Sequence, residues 1–464
     1  MQAAAKGGVV GVVAGYVCSS GAYPACFHEP ANQRIPRLTL RDRCLVLANR
    51  LPYPIDDGWK RRTFHVLRGL AANAPVTLVA FHAPGTDKAI DDLEAAIPGI
   101  VVKAVPPPRF RTLRAAILGL VTETPFPMWR VDSRRFDVAV KEVCARGDIA
   151  QVVVEVAYMF PYAKRMGGMY CTIIDTHNID SLVLDRYART MRGVRGWYAR
   201  MTARKLKAQE SDSFAAAGQV WVCSRKEADC LERIVPEASV AVVPNGVDTT
   251  YFSPHNVREH TAPNARNLLF FGRLDYYPNA DGIRYFLESV LPRIWARDAT
   301  VRFALAGRGK IDESVRRMAS LDHRIQIHGA VPDLRPIILE TAVVVVPLRS
   351  GGGTRLKILE ALSMGKPVVS TTIGMEGLDL TPGKHLEVAD GAQEFADRTF
   401  ELLSDIARAE ALGRSGRDAV VARYDWSAIE DQIGGIIARV HEEWGNCQGR
   451  AQVEERSTTT TLDP

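Results

Sequence analysis

The sequence has no C-x-x-C pair and no cysteine–histidine cluster at zinc-ligand spacing. Its eight cysteines are scattered through 464 residues. That excludes a structural zinc site and a disulfide-framework fold. Cysteines inside apolar runs such as VWVCS read as reduced core thiols. No uninterrupted apolar run reaches the roughly twenty residues of a spanning helix. There is no G-x-x-x-x-G-K-[ST] phosphate loop, and no D-x-D triplet to hold a divalent metal. Charge of one sign is not in large excess: 59 Lys and Arg face 53 Asp and Glu, a net +6. That favours an anionic ligand or membrane surface but does not imply nucleic acid.

What is present is globular. Hydrophobic residues make up 47% and charged residues 24%, enough to bury a sizeable core. The length fits two large domains, or three of roughly 150 residues. Gly7 to Ala25 is small and mildly apolar and weakly resembles a signal peptide. Gly11, Gly15, Ser19, Ser20 and Gly21 interrupt it, so residues 1–42 read as a poorly structured extension.

From Arg43 the chain alternates short β-branched runs with helix-length segments. CLVLANR, VTLVAF, IVVKAV, QVVVEV, CTIIDTH and QVWVCS form one series. NLLFFGR, VRFALAG, RIQIHG, AVVVVPL and PVVST form a second. Runs without strict alternation suit strands buried on both faces, and intervening helices imply parallel sheets. The expected class is α/β, with two doubly wound Rossmann-like domains facing a cleft. The expected bounds are 43–250 and 251–425, a crossover helix at 426–445 and a disordered tail at 446–464. Ligands of such sheets bind beyond the carboxyl ends of the strands.

The most informative segment is VVVVPLRSGGGTRLKILEALSMGKPVVST. A buried strand ends at Leu348, then come Gly351, Gly352 and Gly353, and a helix is expected from Thr354 to Met364. Glycines allow close backbone approach, and a helix start offers N–H groups to phosphate. Arg349, Arg355 and Lys357 add positive charge. Lys357 and Glu360 lie one helical turn apart. They read equally as a surface ion pair or as ligands of a diphosphate and a ribose.

At these residues the chain resembles glycosyltransferase family 4 (group 1), which has the GT-B fold. VVPNGVDTTYFSP, FFGRLDYYPNADG, LAGRG, RIQIHGAVPD and YDWSAIEDQI resemble second-domain motifs and the closing helix, and LPYPIDDGWKRR and DTHNID resemble first-domain motifs. The resemblance spans about residues 43–445. It is nearest to the sugar transferases of exosortase-type exopolysaccharide loci.

The resemblance implies a retaining transferase that moves a sugar from a nucleoside diphosphate donor to a glycan or lipid-linked acceptor. It implies no cofactor beyond that co-substrate and no resident metal. Arg273 matches the diphosphate arginine. The partner lysine usually five residues on is replaced here by Pro278, so Lys357 becomes the candidate for that charge. Glu360 matches the second glutamate of the family's E-x7-E pair, while Gly352 stands at the first. Gly352, Gly353, Thr354 and Arg355 are expected at donor sugar and phosphate. Gly307 and Val331, with Asp333, fall in loops that hold the nucleotide. Gly58 matches a first-domain glycine near the donor phosphate, and Lys60, Arg61 and Arg62 behind it suggest an expected anion. His177 matches a histidine near the transferred sugar, with Asp175 as its orienting partner or a turn cap. Arg273, Lys357 and His177 are thus the expected catalytic groups.

A further basic series runs Arg186, Arg189, Arg192, Arg195, Arg200, Arg204, Lys205 and Lys207 along one expected helical segment. Arg109, Arg111 and Arg114 precede AAILGL. They read as a solvated face or as contact with an anionic membrane. The family's nucleotide sugars are cytosolic, which places the protein in the cytoplasm, at most peripheral on the plasma membrane. Other readings are a GT-B epimerase or phosphorylase, and a non-catalytic GT-B subunit or sugar-nucleotide sensor. A dinucleotide dehydrogenase is suggested only by the triplet from Gly307 to Gly309.

Overall fold

A computed structural model describes residues 43–83, 85, 87–108, 111–257 and 266–459. The expected extension 1–42, Arg109 and the last residues of the expected tail lie outside them.

Two parallel sheets organise the chain. The first contains β1 (Arg43–Ala48), β2 (Val76–Phe81), β3 (Ile100–Val105), β4 (Ile149–Glu155), β5 (Cys171–Asp175), β6 (Gln219–Val222) and β7 (Val240–Val242). Its order is β3-β2-β1-β4-β5-β6-β7. The second contains β8 (Asn267–Phe271), β9 (Arg302–Ala306), β10 (Ile325–Gly329), β11 (Val343–Val346), β12 (Val368–Ser370) and β13 (Glu387–Val388), ordered β10-β9-β8-β11-β12-β13. In both sheets the order reverses beside the first strand, which opens a crevice at the strand ends. The central strands are buried on both faces, as β1 with β4 and β8 with β11 illustrate. Their uninterrupted Val, Leu and Phe runs meet that requirement.

The last helix runs Trp426–Thr459. It passes the expected end at 445 and continues to Thr459, within the stretch expected to be disordered, where Gln, Ala, Glu and Arg are good helix formers. Its first four turns complete the core of the first domain. Trp426, Ile429, Ile433, Ile436, Ile437 and Val440 join Leu67, Leu70, Val46 and Leu78 in one buried cluster. At about 1.5–3 kcal/mol per buried apolar side chain, the six contribute on the order of 10 kcal/mol or more. The crossing is close because Gly69 has no side chain: a Cβ there would stand 3.0 Å from Glu430 O and 3.1 Å from Ile433. His65 stacks on Trp426 at 4.3 Å, and its Nδ1 lies 2.6 Å from a Glu430 oxygen.

The basic series expected on one helix falls on two, Asp180–Thr190 and Gly193–Ala216. The break falls at Met191 and Arg192, whose extended backbones, with ψ 144 and 163, end the first helix and lead into the second.

Candidate active site

A cavity of about 1020 Å³ lies between the carboxyl ends of the two sheets. Its first-domain wall includes Asn49, Trp59, Arg130, Val156, Tyr158, His177 and Asp180, and its second-domain wall includes Arg273, Tyr276, Ser350, Gly351 and Gly352. A smaller space of about 200 Å³ adjoins it, bounded by Asn178, Gly352, Gly353, Thr354 and Glu376.

His177 follows β5 and faces the cavity. Its Nε2 lies 3.1 Å from Glu155 Oε1, at the last residue of β4. Glu155 is 2% exposed. Burial pushes its carboxyl pKa up, and the hydrogen bond from His177 acts against that. The Thr63 hydroxyl also donates to Oε1, while Oε2 is buried without a partner. The imidazole stacks on Trp59 at 5.4 Å, and the Arg50 guanidinium lies 4.2 Å from the Trp59 ring centroid. So Glu155, rather than Asp175, orients His177. The next residue, Val156, is held at φ 64, a costly conformation for a β-branched side chain. Sequence reasoning missed Glu155, although a carboxylate ending the apolar run QVVVEV is a signal.

Asp175 has a different task. It takes Arg62 Nε at 3.1 Å, and Arg62 Nη1 donates to Val243 O at 2.8 Å. Arg62 is wholly buried. It therefore pins three segments of the first domain and is not held out for a ligand. Lys60 pairs with Asp56 at 2.9 Å. Arg61 crosses to the second domain, where Nη1 lies 2.6 Å from Glu360 Oε1. The basic cluster after Gly58 thus has protein carboxylates as partners, which corrects the expectation of a waiting anion site. Gly58 opens the helix Gly58–Ala71, and a Cβ on it would stand 3.1 Å from Leu356.

On the second domain Arg273 extends from β8 into the cavity, 74% exposed and paired with Asp275 at 2.7 Å. Gly307 has φ +143, and a Cβ would fall 1.7 Å from Gly272 O. Only glycine fits there, because the loops after β8 and β9 touch through their backbones. Val331 stands in the loop after β10 and borders neither cavity. Asp333 beside it binds Arg335 at 2.7 Å.

The glycine loop packs against the first domain. A Cβ on Gly352 would meet Val183 at 3.0 Å, and one on Gly353 would meet Asn178 Oδ1 at 2.9 Å. Asn245 Nδ2 donates to Thr354 Oγ1 at 3.1 Å. The helix begins at Leu356, two residues later than expected, with Arg355 at its N-cap. Arg355 turns inward: Nη1 donates to Gly352 O at 2.6 Å and to Gly353 O, and Nη2 to Ile373 O at 3.3 Å. It fixes the loop from behind. Arg349 is likewise engaged, with Asp281 at 2.6 Å.

Lys357 lies under the end of β8. Its Nζ donates to Asn279 Oδ1 at 2.8 Å, sits 3.9 Å from the centre of the Phe270 ring, and would be 3.2 Å from a Cβ on Gly272. Burial, and secondarily the neighbouring Arg355, push its pKa down to about 7. Asp180 and Glu210 form a second unusual pair. Burial raises Asp180 to about 6, and burial with Asp180 raises Glu210 to about 8. Glu210 accepts the Ser181 N–H at 3.1 Å.

Residues 265–405 match the family model described as Glycosyl transferases group 1. That match falls within the second domain. With the first domain and the returning helix, the chain has the GT-B fold. Its backbone resembles sucrose-phosphate synthase of Thermosynechococcus elongatus, with TM-score 0.62 and 18% identity, covering 86% of this chain and 99% of that one. It also resembles HepE of Anabaena, a structure in complex with UDP, with TM-score 0.61 and 14% identity over 86% of this chain and 100% of that one. Among curated proteins, the chain is similar to phosphatidyl-myo-inositol mannosyltransferase of Mycolicibacterium smegmatis, 28% identical over 43% of this chain and 51% of that protein. It is similar to a phosphatidylinositol N-acetylglucosaminyltransferase component of Arabidopsis thaliana, 33% identical over 32% and 33%. A 44.6 kDa protein of the cps region of Klebsiella pneumoniae is 26% identical over 36% and 45%. The chain spans a third to about half the length of these relatives.

Proposed function

We propose that the protein transfers a sugar from a nucleoside diphosphate sugar to a glycan or lipid-linked acceptor, with retention at the anomeric carbon, in exopolysaccharide or cell-surface glycan synthesis. The observation that carries this reading is the cavity itself. Arg273 and the Gly351–Gly352 backbone form one wall, and His177, fixed by Glu155, forms the other. The group 1 match of the second domain, the UDP bound to HepE and the transferase names of the relatives support it. The protein from the cps region supports the glycan setting. A cytosolic donor pool would place the protein in the cytoplasm, peripheral to the membrane at most.

In this reading negative charge grows on the diphosphate as the glycosidic bond breaks. Groups fixed beforehand stabilise it best. Arg273, exposed and paired with Asp275, supplies a full charge at the cavity wall. Lys357, beneath Gly272, supplies a second one when a nearby diphosphate favours its ammonium form. Gly352, Gly353 and Thr354 offer backbone and hydroxyl contacts, Glu360 holds the ribose after Arg61 releases it, and Gly307 and Val331 shape the nucleotide loops. The diphosphate charge is met without a resident metal or cofactor. The acceptor hydroxyl attacks the anomeric carbon on the face the phosphate leaves, and its proton passes to the departing phosphate oxygen. His177 orients the transferred sugar.

The test is a thermal-shift screen with UDP, GDP, ADP, CMP and their sugar conjugates, with and without EDTA. A ligand at about 100 times its Kd adds about 2.7 kcal/mol. The expected result is a shift with one nucleoside diphosphate that EDTA does not change and Arg273→Ala abolishes, followed by donor turnover with acceptor present. Binding without turnover favours a second reading, a non-catalytic GT-B subunit or sugar-nucleotide sensor. Gly352 in place of a glutamate and the engagement of Glu360 by Arg61 speak for that reading.

A further inference from the structure

The helix Arg111–Val121 turns an apolar stripe outward. Leu113, Ile117, Leu120 and Val121 fall at i, i+4, i+7 and i+8, one face of a helix, and they range from 45% to 70% exposed. Their buried counterparts, Ala115 and Gly119, face inward. The helix Gly193–Ala216 runs beside it. Tyr198 Oη donates to Ala116 O at 3.0 Å, and Lys205 Nζ donates to Gly119 O at 3.1 Å and to Thr122 O. On that second helix Val194 is 80% and Trp197 52% exposed. Single exposed apolar residues are ordinary, but six on two joined helices make a patch of the kind that marks an interaction surface.

The charge around the patch selects the partner. Neither 111–121 nor 191–208 contains one acidic residue, while the second stretch holds Arg192, Arg195, Arg200, Arg204, Lys205 and Lys207. Arg192, Arg195, Arg204 and Lys207 are exposed, and none forms an ion pair with a described residue. Basic residues flanking an exposed Trp, Leu and Ile stripe fit the headgroup boundary of an anionic bilayer, where each basic side chain gains from the surface potential and each apolar one from the acyl edge. No helix among the described residues is long and apolar enough to cross a membrane, so the contact lies in the interface plane. The surface also borders the cavity. The short helix Phe126–Val131 lies against Gly119, Trp129 Nε1 donates to Thr122 Oγ1 at 2.9 Å, and Pro127 and Arg130 of the same helix line the cavity.

We propose that the paired helices Arg111–Val121 and Gly193–Ala216 form a docking face for an anionic lipid bilayer, with the cavity opening beside it. The inference does not need sugar transfer, since vesicle binding is read without turnover. The test is co-sedimentation of the full chain with vesicles of phosphatidylglycerol and phosphatidylcholine, against phosphatidylcholine alone. The expected result is partition to the anionic vesicles only, weakened by 0.5 M NaCl. Leu113→Ser with Ile117→Ser and Val121→Ser is expected to lower the partition more than tenfold, and Arg192→Gln with Arg195→Gln about fivefold per charge. These positions are exposed, so an unchanged melting curve is the folding control. Hydrogen exchange on the unaltered chain gives an independent reading: vesicles should protect 111–121 and the first turns after Gly193. Two results overturn the proposal. One is no partition, or partition that both variants retain. The other is a dimer in solution that the triple variant converts to a monomer, which would make a second copy the occupant.

Discussion

Glu155 ends β4, His177 lies two residues past its neighbour β5, and the two meet at 3.1 Å between Oε1 and Nε2. The carboxylate fixes which imidazole nitrogen faces inward and so which one is presented to the cavity. Glu155→Gln keeps the shape but removes the charge that orients the ring. The expected outcome is a fall in kcat of about 10–100-fold with nucleotide affinity nearly unchanged, by analogy with the outer partners of other oriented histidines. His177→Ala should cost no less, and the double variant no more than His177→Ala alone. Additive losses would mean that the two act separately.

Lys357 gives a pH prediction. Its pKa is pushed down to about 7, so the side chain is largely neutral above that value in the free protein. A diphosphate nearby favours the ammonium and raises that pKa, so binding takes up a proton above pH 7. Donor affinity should fall as pH rises from about 7 toward 9, by up to about tenfold per unit. Calorimetry in buffers of different ionisation enthalpy measures the uptake directly. Lys357→Met should bind more weakly at pH 7 and lose the slope. A flat profile in the unaltered chain would remove Lys357 from the donor site.

Arg61 and Glu360 bind each other across the cleft at 2.6 Å. If a ribose takes Glu360, Arg61 competes with it. Arg61→Ala should then tighten nucleotide binding and Glu360→Ala weaken it, each by about 5–10-fold, the scale of one charged hydrogen bond. Changes of the same sign would instead identify the pair as a closure contact.

Glu210 is held at a pKa near 8, raised by burial and by Asp180. A carboxyl raised in the folded state contributes most stability below the unfolded value, near 4.3, and loses it as pH rises through 8. Glu210→Gln keeps an acceptor for Ser181 N–H without the buried charge. It should match the unaltered chain at pH 5 and exceed it by about 1–3 kcal/mol at pH 8. A Tm difference that does not grow between those pH values would refute the assignment.

Much of the fold was legible because its signals are local. The β-branched runs mark each strand, and three consecutive glycines mark the loop after β11. The site was legible only where a residue's own neighbourhood speaks for it. Arg273 and His177 follow β8 and β5 and face the cavity, as their positions after strands suggested. Arg355 and Arg62 misled, because a positive side chain in a motif does not reveal the carbonyl or carboxylate it folds onto. Arg62 reaches Asp175, Val243 and Asn245, all more than a hundred residues away. The same distance in sequence hid Glu360 from Arg61. The late start of the 356–363 helix was hidden for a different reason: Gly353 adopts φ +74 and Arg355 occupies the N-cap, conformations that composition does not fix.

The returning helix has a consequence for how the molecule is made. A ribosome releases the first sheet long before Trp426, so the first domain leaves the tunnel with the cluster around Leu67 and Leu70 still uncovered. The second domain, continuous from β8 to β13, has all of its strands in hand earlier than its predecessor has its full core. The half translated first is therefore completed by residues translated after both sheets. Until then its open face is the segment most exposed to misassociation.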